Sequence, residues 1–320
     1  MTNKVSIAFV VVVLAVATAA AQTSTYKAAR TPWGDPDLQG RWPAVEMQGT
    51  PFERPNELGT QAQLTDEQLA ERRTRARAQI TPQSWAERQA NPSRQSSLVV
   101  DPPDGKIPPM TPAGLARVAT SRSTYFLDFP NDVVAHAFDN FEDLGPYDRC
   151  ITRGATAGML PTLYSMGTEI MQAPGYVVIR NEMIHETRLI PLDGRRHISS
   201  KIRQYMGDSR GHFEGDTLVV ETTNFNGKVG LTHNGNTNIT SAQYGLTERI
   251  SRVAQDTLQY EATINDPGTY TRPWKIAIPL KLHPEYTMYE YACHEGNYAM
   301  KNILSSERAS DRKAQEVIKP

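Results

Sequence analysis

The sequence is poor in the residues that usually announce a chemistry. It has two cysteines in 320 residues, and no C-x-x-C, H-E-x-x-H or H-x-H pair, so no compact metal motif stands in it. It has neither a Walker loop nor a G-x-G-x-x-G turn, which argues against a nucleotide cofactor, and nothing else calls for a cofactor. It has almost no net charge: 34 basic residues face 35 acidic ones. A general nucleic-acid binder would carry a strong positive excess. Beyond the N-terminus no stretch approaches 18 consecutive apolar residues, so no membrane span is expected after it.

The N-terminus itself has a single positive charge at Lys4, an apolar run from Ile7 to Val16, and small residues up to Ala21. Ala19 and Ala21 fit an A-x-A cleavage rule, and the run is too short for an ordinary span. Residues 1–21 therefore read as a secretory signal rather than an anchor. Its removal deletes Lys4 and no acid, leaving 33 basic and 35 acidic residues and a net charge of −2. The expected product is a soluble protein, periplasmic or secreted. Disulfides persist there, so Cys150 and Cys293 are candidates for one bridge. It would close a loop of about 140 residues, worth roughly 5 kcal/mol in the chain-entropy model. Two free buried thiols, or a catalytic thiol beside His294 and Glu295 in YEYACHEGNY, are the alternatives.

Residues 22–120 are rich in Pro, Gly and Thr, a composition that suits an irregular extension. Thr65 and Gln68 form a capping box that predicts a helix over about 66–78, and Thr111-Pro112 starts another short one. Trp33, Trp42 and Trp85 imply that the extension wraps the rest rather than floating in water. The arginines at 72, 73, 75 and 77 read as a solvated helix face.

From residue 121 short β-rich runs alternate with turn signals up to about 294, and a helix closes the chain from about Tyr298 to Val317. Strands are expected at 124–128, 133–138, 161–165, 168–173, 175–183, 185–190, 201–206, 211–214, 217–225, 246–253, 257–265, 273–282 and 287–294. Gly215-Asp216 marks a hairpin. Alternation places Leu258, Tyr260, Ala262 and Ile264 on one face, and Trp274, Ile276, Ile278 and Leu280 on one face of the next strand. The fold expected is mainly β: an antiparallel β-barrel, with the N-terminal wrap carrying short helices. Gly40-Arg41-Trp42, ahead of this meander, resembles the G-x-W opening of lipocalin-like (calycin) barrels.

Ten stretches together, among them TPWGDPDLQG, RCITRG, EGDTLVVETTNF and YACHEGNY, resemble a family of uncharacterised secreted bacterial proteins. The resemblance runs from about residue 31 to 306. It implies export and a single architectural unit, and carries no reaction.

Three segments hold chemistry-bearing side chains. In RNEMIHETRLIPLDGRRH an unbroken strand would put Arg180, Glu182, Glu186 and Arg188 on one face and His185 opposite, whereas a bulge near Ile184 would bring Glu182 and His185 together. A His beside a carboxylate is the usual general acid–base unit; the plainer alternative is a ladder of ion pairs. In MGDSRGHFEGD, Arg210 and His212 flank a tight turn; Ser209 lacks the surroundings of a serine nucleophile. In YEYACHEGNY a strand would put Tyr289, Tyr291 and Cys293 on one face.

The resulting expectation is an exported enzyme acting on a small organic molecule inside a barrel cavity. His185 and His294 would transfer protons, Glu182 or Glu295 would orient them, Arg188 or Arg203 would clamp an anion, and Arg210, His212, Tyr289 and Tyr291 would line the site. A lipocalin-like carrier of an apolar or aromatic molecule is the alternative. A metal held by scattered groups such as His185, His294 and an acid is left open. Titrating thiols in the unfolded, unreduced protein decides the cysteines: a bridge leaves none, and finding two would refute it.

Overall fold

A computed structural model describes residues 26–82, 87, 89–120, 138–232 and 237–318. The proposed signal, most of the strand candidates 124–128 and 133–138, His136, His233 and Trp85 lie outside the described residues.

The described residues are mainly β, with two antiparallel sheets, a small hairpin and three α-helices among them. The four-stranded sheet runs in the order β1 (Gly40–Arg41), β3 (Thr168–Ala173), β4 (Tyr176–Asn181), β5 (Thr187–Pro191). The six-stranded sheet runs β2 (Val99–Asp101), β12 (Trp274–Lys281), β11 (Thr257–Asn265), β10 (Gly245–Ala254), β7 (Thr217–Thr223), β6 (Asp208–Glu214). β8 (Gly230–Thr232) and β9 (Thr237–Ile239) pair with each other. Among the described residues no ladder of hydrogen bonds joins the two larger sheets into a closed barrel.

The alternation in the sequence explains the core. Leu258, Tyr260, Ala262 and Ile264 of β11 are fully buried, as are Trp274, Ile276, Ile278 and Leu280 of β12. Glu214 pairs with Thr217 across the Gly215-Asp216 turn, with Gly215 at φ 60°, so the hairpin forms where the dipeptide placed it. Thr65 caps α1 (Asp66–Ala78) through the reciprocal bonds of a capping box with Gln68. α2 spans Pro112–Thr120 and α3 Ala299–Ile318.

The extension is woven into both sheets. It supplies β1 to one and β2 to the other, and Leu38, Trp42 and Met47 to the shared core. Trp42 is buried, donates its indole N–H to the Leu38 carbonyl at 3.0 Å, and lies under the Arg252 guanidinium. Arg54, also buried, ties the extension to itself through Ser96 and the Pro103 carbonyl.

Three expected strands are absent. Residues 161–165 run irregularly into Ser165 at φ 50°. Segment 201–206 makes only a bridge from Gln204 to Phe225, because the Asn224 side-chain amide draws in the carbonyls of Ile198, Ser199 and Ile202 instead. Residues 287–294 form an open chain and a turn: the Tyr289 N–H goes to the Glu182 carboxylate and the Cys293 N–H to the Tyr291 carbonyl. The shared face imagined for Tyr289, Tyr291 and Cys293 therefore does not exist. The strand over 180–188 is likewise broken, by a one-turn 3₁₀ segment Met183–His185 with Ile184 at φ 62° and His185 at φ 43°.

Charges sit between the sheets. Arg188 on the inner face of β5 meets Glu248 on the inner face of β10, the two fully buried, and the Arg188 Nη2 donates to Glu248 Oε1 at 2.8 Å. The Tyr260 hydroxyl donates to the same oxygen at 2.9 Å. Burial alone would weaken the charge on Arg188, but Glu248 outweighs it and its pKa is raised. Removing one partner, as in Arg188→Leu, leaves an uncompensated buried charge and should cost about 3–5 kcal/mol in urea denaturation. The triple variant Arg188→Met/Glu248→Leu/Tyr260→Phe should recover most of that loss; a triple as unstable as the single would show that the pair is not what the sheets depend on.

Candidate functional site

The disulfide predicted as one alternative is present: Cys150 and Cys293 are bonded, and there is no free cysteine. The catalytic-thiol and free-thiol alternatives are thereby excluded. The bridge fastens the irregular chain after β12 to the loop before β3, and a cleft opens among the groups around it.

Beside it, Tyr147, Met183 and Ile184 make a small second core, with Tyr164, Tyr291 and Cys293 packed against it. The Tyr147 hydroxyl lies 3.0 Å from that of Tyr291 and 3.3 Å from that of Tyr164. The left-handed backbone at Ile184 and His185 turns the Ile184 side chain inward and leaves the His185 ring exposed. Nδ1 of His185 is 2.9 Å from the Tyr291 carbonyl. A carbonyl only accepts, so in the neutral ring the proton sits on Nδ1 and the Nε2 lone pair is free. A cleft of about 520 Å³ opens on this segment, lined by Tyr147, Asp148, Glu290, Tyr291, Cys293 and Glu295 among others. His294 and Glu295 are exposed in the turn after the bridge, and Tyr289 is exposed at its other side.

Other expected site residues are engaged elsewhere. Glu182 is buried, and its carboxylate accepts from the Gly167 N–H at 3.2 Å, the Tyr286 hydroxyl at 2.8 Å and the Tyr289 N–H at 3.1 Å. A side chain at Gly167 would run into that carboxylate, so the glycine permits the contact. Tyr286 also reaches Glu87 at 2.9 Å, and burial followed by these two carboxylates pushes its pKa up. Arg188 is held by Glu248. Arg203 clamps the carbonyls of Phe225 and Ala242. His212 rests on exposed Glu214 at 3.3 Å. The Ser209 hydroxyl is buried against Thr222 at 2.9 Å.

Arg210 belongs to a unit that sequence reasoning missed. Its Nη1 is 2.7 Å from Asp208 Oδ1, while Asp208 Oδ2 is 2.9 Å from His197 Nδ1 and 3.1 Å from the Ile198 N–H. Nothing in the spacing of His197 and Asp208 signals their meeting; the Asn224 clamp brings the loop back. Glu186, read only as part of a strand face, is a second omission. It is half-buried, with the Thr152 hydroxyl between its oxygens at 2.6 and 2.7 Å. Burial pushes its pKa up against the lowering influence of Thr152, the Arg153 N–H, Arg188 and Arg153. Among the described residues no group of three or more His, Cys, Asp or Glu side chains is placed to hold a metal ion, and no helix is long and apolar enough to cross a membrane. No family model, curated protein or solved structure matches the chain.

His283 is the histidine with the clearest electrostatic signature. Nε2 is 2.8 Å from Glu46 and Nδ1 is 3.0 Å from Glu285. Burial disfavours its charge, but these two carboxylates prevail and its pKa is raised. A raised imidazole pKa contributes stability that is full below the ordinary His value and is lost as pH rises through the folded one. Stability measured from about pH 5 to about pH 8.5 should therefore fall less in His283→Gln than in the wild type. Equal slopes would mean that this clip does not couple protonation to folding.

Proposed function

We propose that the protein is an exported enzyme that performs acid–base chemistry on a small organic molecule at the cleft beside the Cys150–Cys293 bridge, with His185 as the proton-transfer group. One observation carries the reading: the His185 ring is oriented by the Tyr291 carbonyl, Nε2 is left free, and Tyr291 itself lines a cleft of about 520 Å³. That volume is within the usual range for small-molecule sites. The paired hydroxyls of Tyr147 and Tyr291 give the cleft groups that both donate and accept protons. Glu290 and Glu295, in its lining, are carboxylates available to substrate; Glu182, occupied by three donors, serves as a support for the turn that presents His185.

The same proposal treats the two sheets as the walls of a calycin-like barrel whose ligand sits at the rim. The space between them is taken up by Trp42, Trp274, Tyr260 and the Arg188–Glu248 pair. A carrier needs that space as a mostly apolar cavity, so the filled interior favours the enzyme. Export to the periplasm or medium is supported by the short N-terminal apolar run and by the disulfide.

The test is turnover. The mature protein would be screened against p-nitrophenyl esters, glycosides and lactones. The His185→Ala variant should lose activity about 10²–10⁴-fold with its thermal midpoint nearly unchanged, since the ring is exposed. Full activity in that variant sinks the assignment, and so does its unfolding.

A further inference from the structure

The Cys150–Cys293 bridge carries polar detail that a purely mechanical tie does not require. Cys293 is half-buried and lines the cleft, whereas Cys150 is buried. A thiolate entering the cleft therefore meets the Cys293 sulfur, and Cys150 is the sulfur that leaves. An amide stands against the leaving sulfur: Asn297 Nδ2 is 3.3 Å from Cys150 Sγ. The Oδ1 of the same amide accepts from the Ala299 N–H at 3.0 Å, at the start of α3, which fixes Nδ2 as the end that faces the sulfur. A bridged sulfur is a weak acceptor and a thiolate is a strong one. The contact therefore strengthens as the S–S bond breaks, as a preplaced donor does for any charge that develops during a reaction.

The cysteines are also placed so that opening the bridge is a local event. Neither lies in a strand, and Cys150 holds a left-handed backbone at φ 55°. Tyr291 comes just before Cys293 in the chain, and Tyr147 just before Cys150. Their hydroxyls meet at 3.0 Å, and the Tyr291 carbonyl holds His185 Nδ1 at 2.9 Å. The Glu182 carboxylate holds the same chain at Tyr289, on the other side of Tyr291 from the bridge. From this arrangement we infer that the bridge is a thiol-exchange site for an external dithiol, and that its opening withdraws Tyr291 from His185 and so regulates the cleft; the regulatory half rests on the role proposed for His185 above. One thiolate of the dithiol attacks Cys293 Sγ, and the electron pair of the broken S–S bond goes to Cys150 Sγ, which takes up a proton. The second thiol then attacks the mixed disulfide and releases the Cys293 thiolate, which is protonated in turn. The dithiol loses two electrons and two protons and becomes a disulfide; Cys150 and Cys293 gain them as two thiols.

The test treats the mature protein with excess dithiothreitol without denaturant, quenches with iodoacetamide and follows the alkylated mass. The bridge should open faster than the protein unfolds, with the far-UV circular dichroism unchanged. With glutathione and an acid quench, the mixed disulfide should map to Cys293. Asn297→Ser can still accept from the Ala299 N–H but takes the amide away from the sulfur, and it should slow reduction about tenfold or more. Should that variant fail to fold, Asn297→Asp, which keeps the acceptor and lacks the donor, is read in its place. The His185 ring signal in the proton NMR spectrum, assigned by its loss in His185→Ala, should shift on reduction. These readouts need no turnover, so they stand apart from the enzymatic reading: a shifted His185 signal in a protein that turns nothing over removes the enzyme and keeps the switch. Reduction only at the rate of unfolding, a mixed disulfide on Cys150, an Asn297 variant reduced as fast as the wild type, or a His185 signal that does not move would each overturn the inference.

Discussion

The contact on which the architecture depends is ionic and dry. Arg188 and Glu248 project from different sheets into one interior and find each other there, with Tyr260 completing the set. Apolar residues above and below them, Ile190 in β5 and Leu246 and Ile250 in β10, would tolerate many relative placements of two sheets. A guanidinium and a carboxylate do not: unless they meet, each carries an uncompensated desolvation cost. The pair therefore selects one stacking of the sheets, and it occupies space where a ligand would otherwise lie.

With the interior filled, the polar chemistry moves to the edges, and the segments that carry it are irregular. Each is held by a specific polar tie. Glu182 gathers three donors and fixes the turn that presents His185. Asn224 gathers three carbonyls and fixes the loop that returns His197 to Asp208. Glu46 and Glu285 hold His283 between the extension and the chain after β12. These ties replace the ladder hydrogen bonds that regular strands would have used.

The parts of the fold legible in the sequence were those governed by period and by turn chemistry. β10, β11 and β12 alternate cleanly, Gly215-Asp216 closes a two-residue hairpin, and Thr65 with Gln68 announces α1. The disulfide was legible from compartment and count. The illegible parts depended on side chains drawing backbone away from a ladder. Residues 287–294 have the composition of a strand, with three aromatic or β-branched residues at alternate positions, yet their N–H groups bond to a distant carboxylate and to their own turn. The same competition hid the site. Glu182 looked like a partner for His185 because both lie in one short stretch, while its true donors come from Gly167, Tyr286 and Tyr289, up to 107 residues away. His197 and Asp208 look unrelated in sequence and are bonded in space.

The bridge between Cys150 and Cys293 spans 143 positions, and β3 to β12 all lie between its two ends. Those ten strands are thus contained in a covalent ring. A protease that nicks any one loop within the ring opens it but releases nothing: both pieces stay joined through the sulfurs, and the sheets keep all their strands. A single cut before Cys150 or after Cys293 leaves no covalent link between the two pieces. Covalent containment is thus concentrated on ten of the twelve strands, while the extension, which supplies β1, β2 and the buried Trp42, is kept by its packing and hydrogen bonds alone.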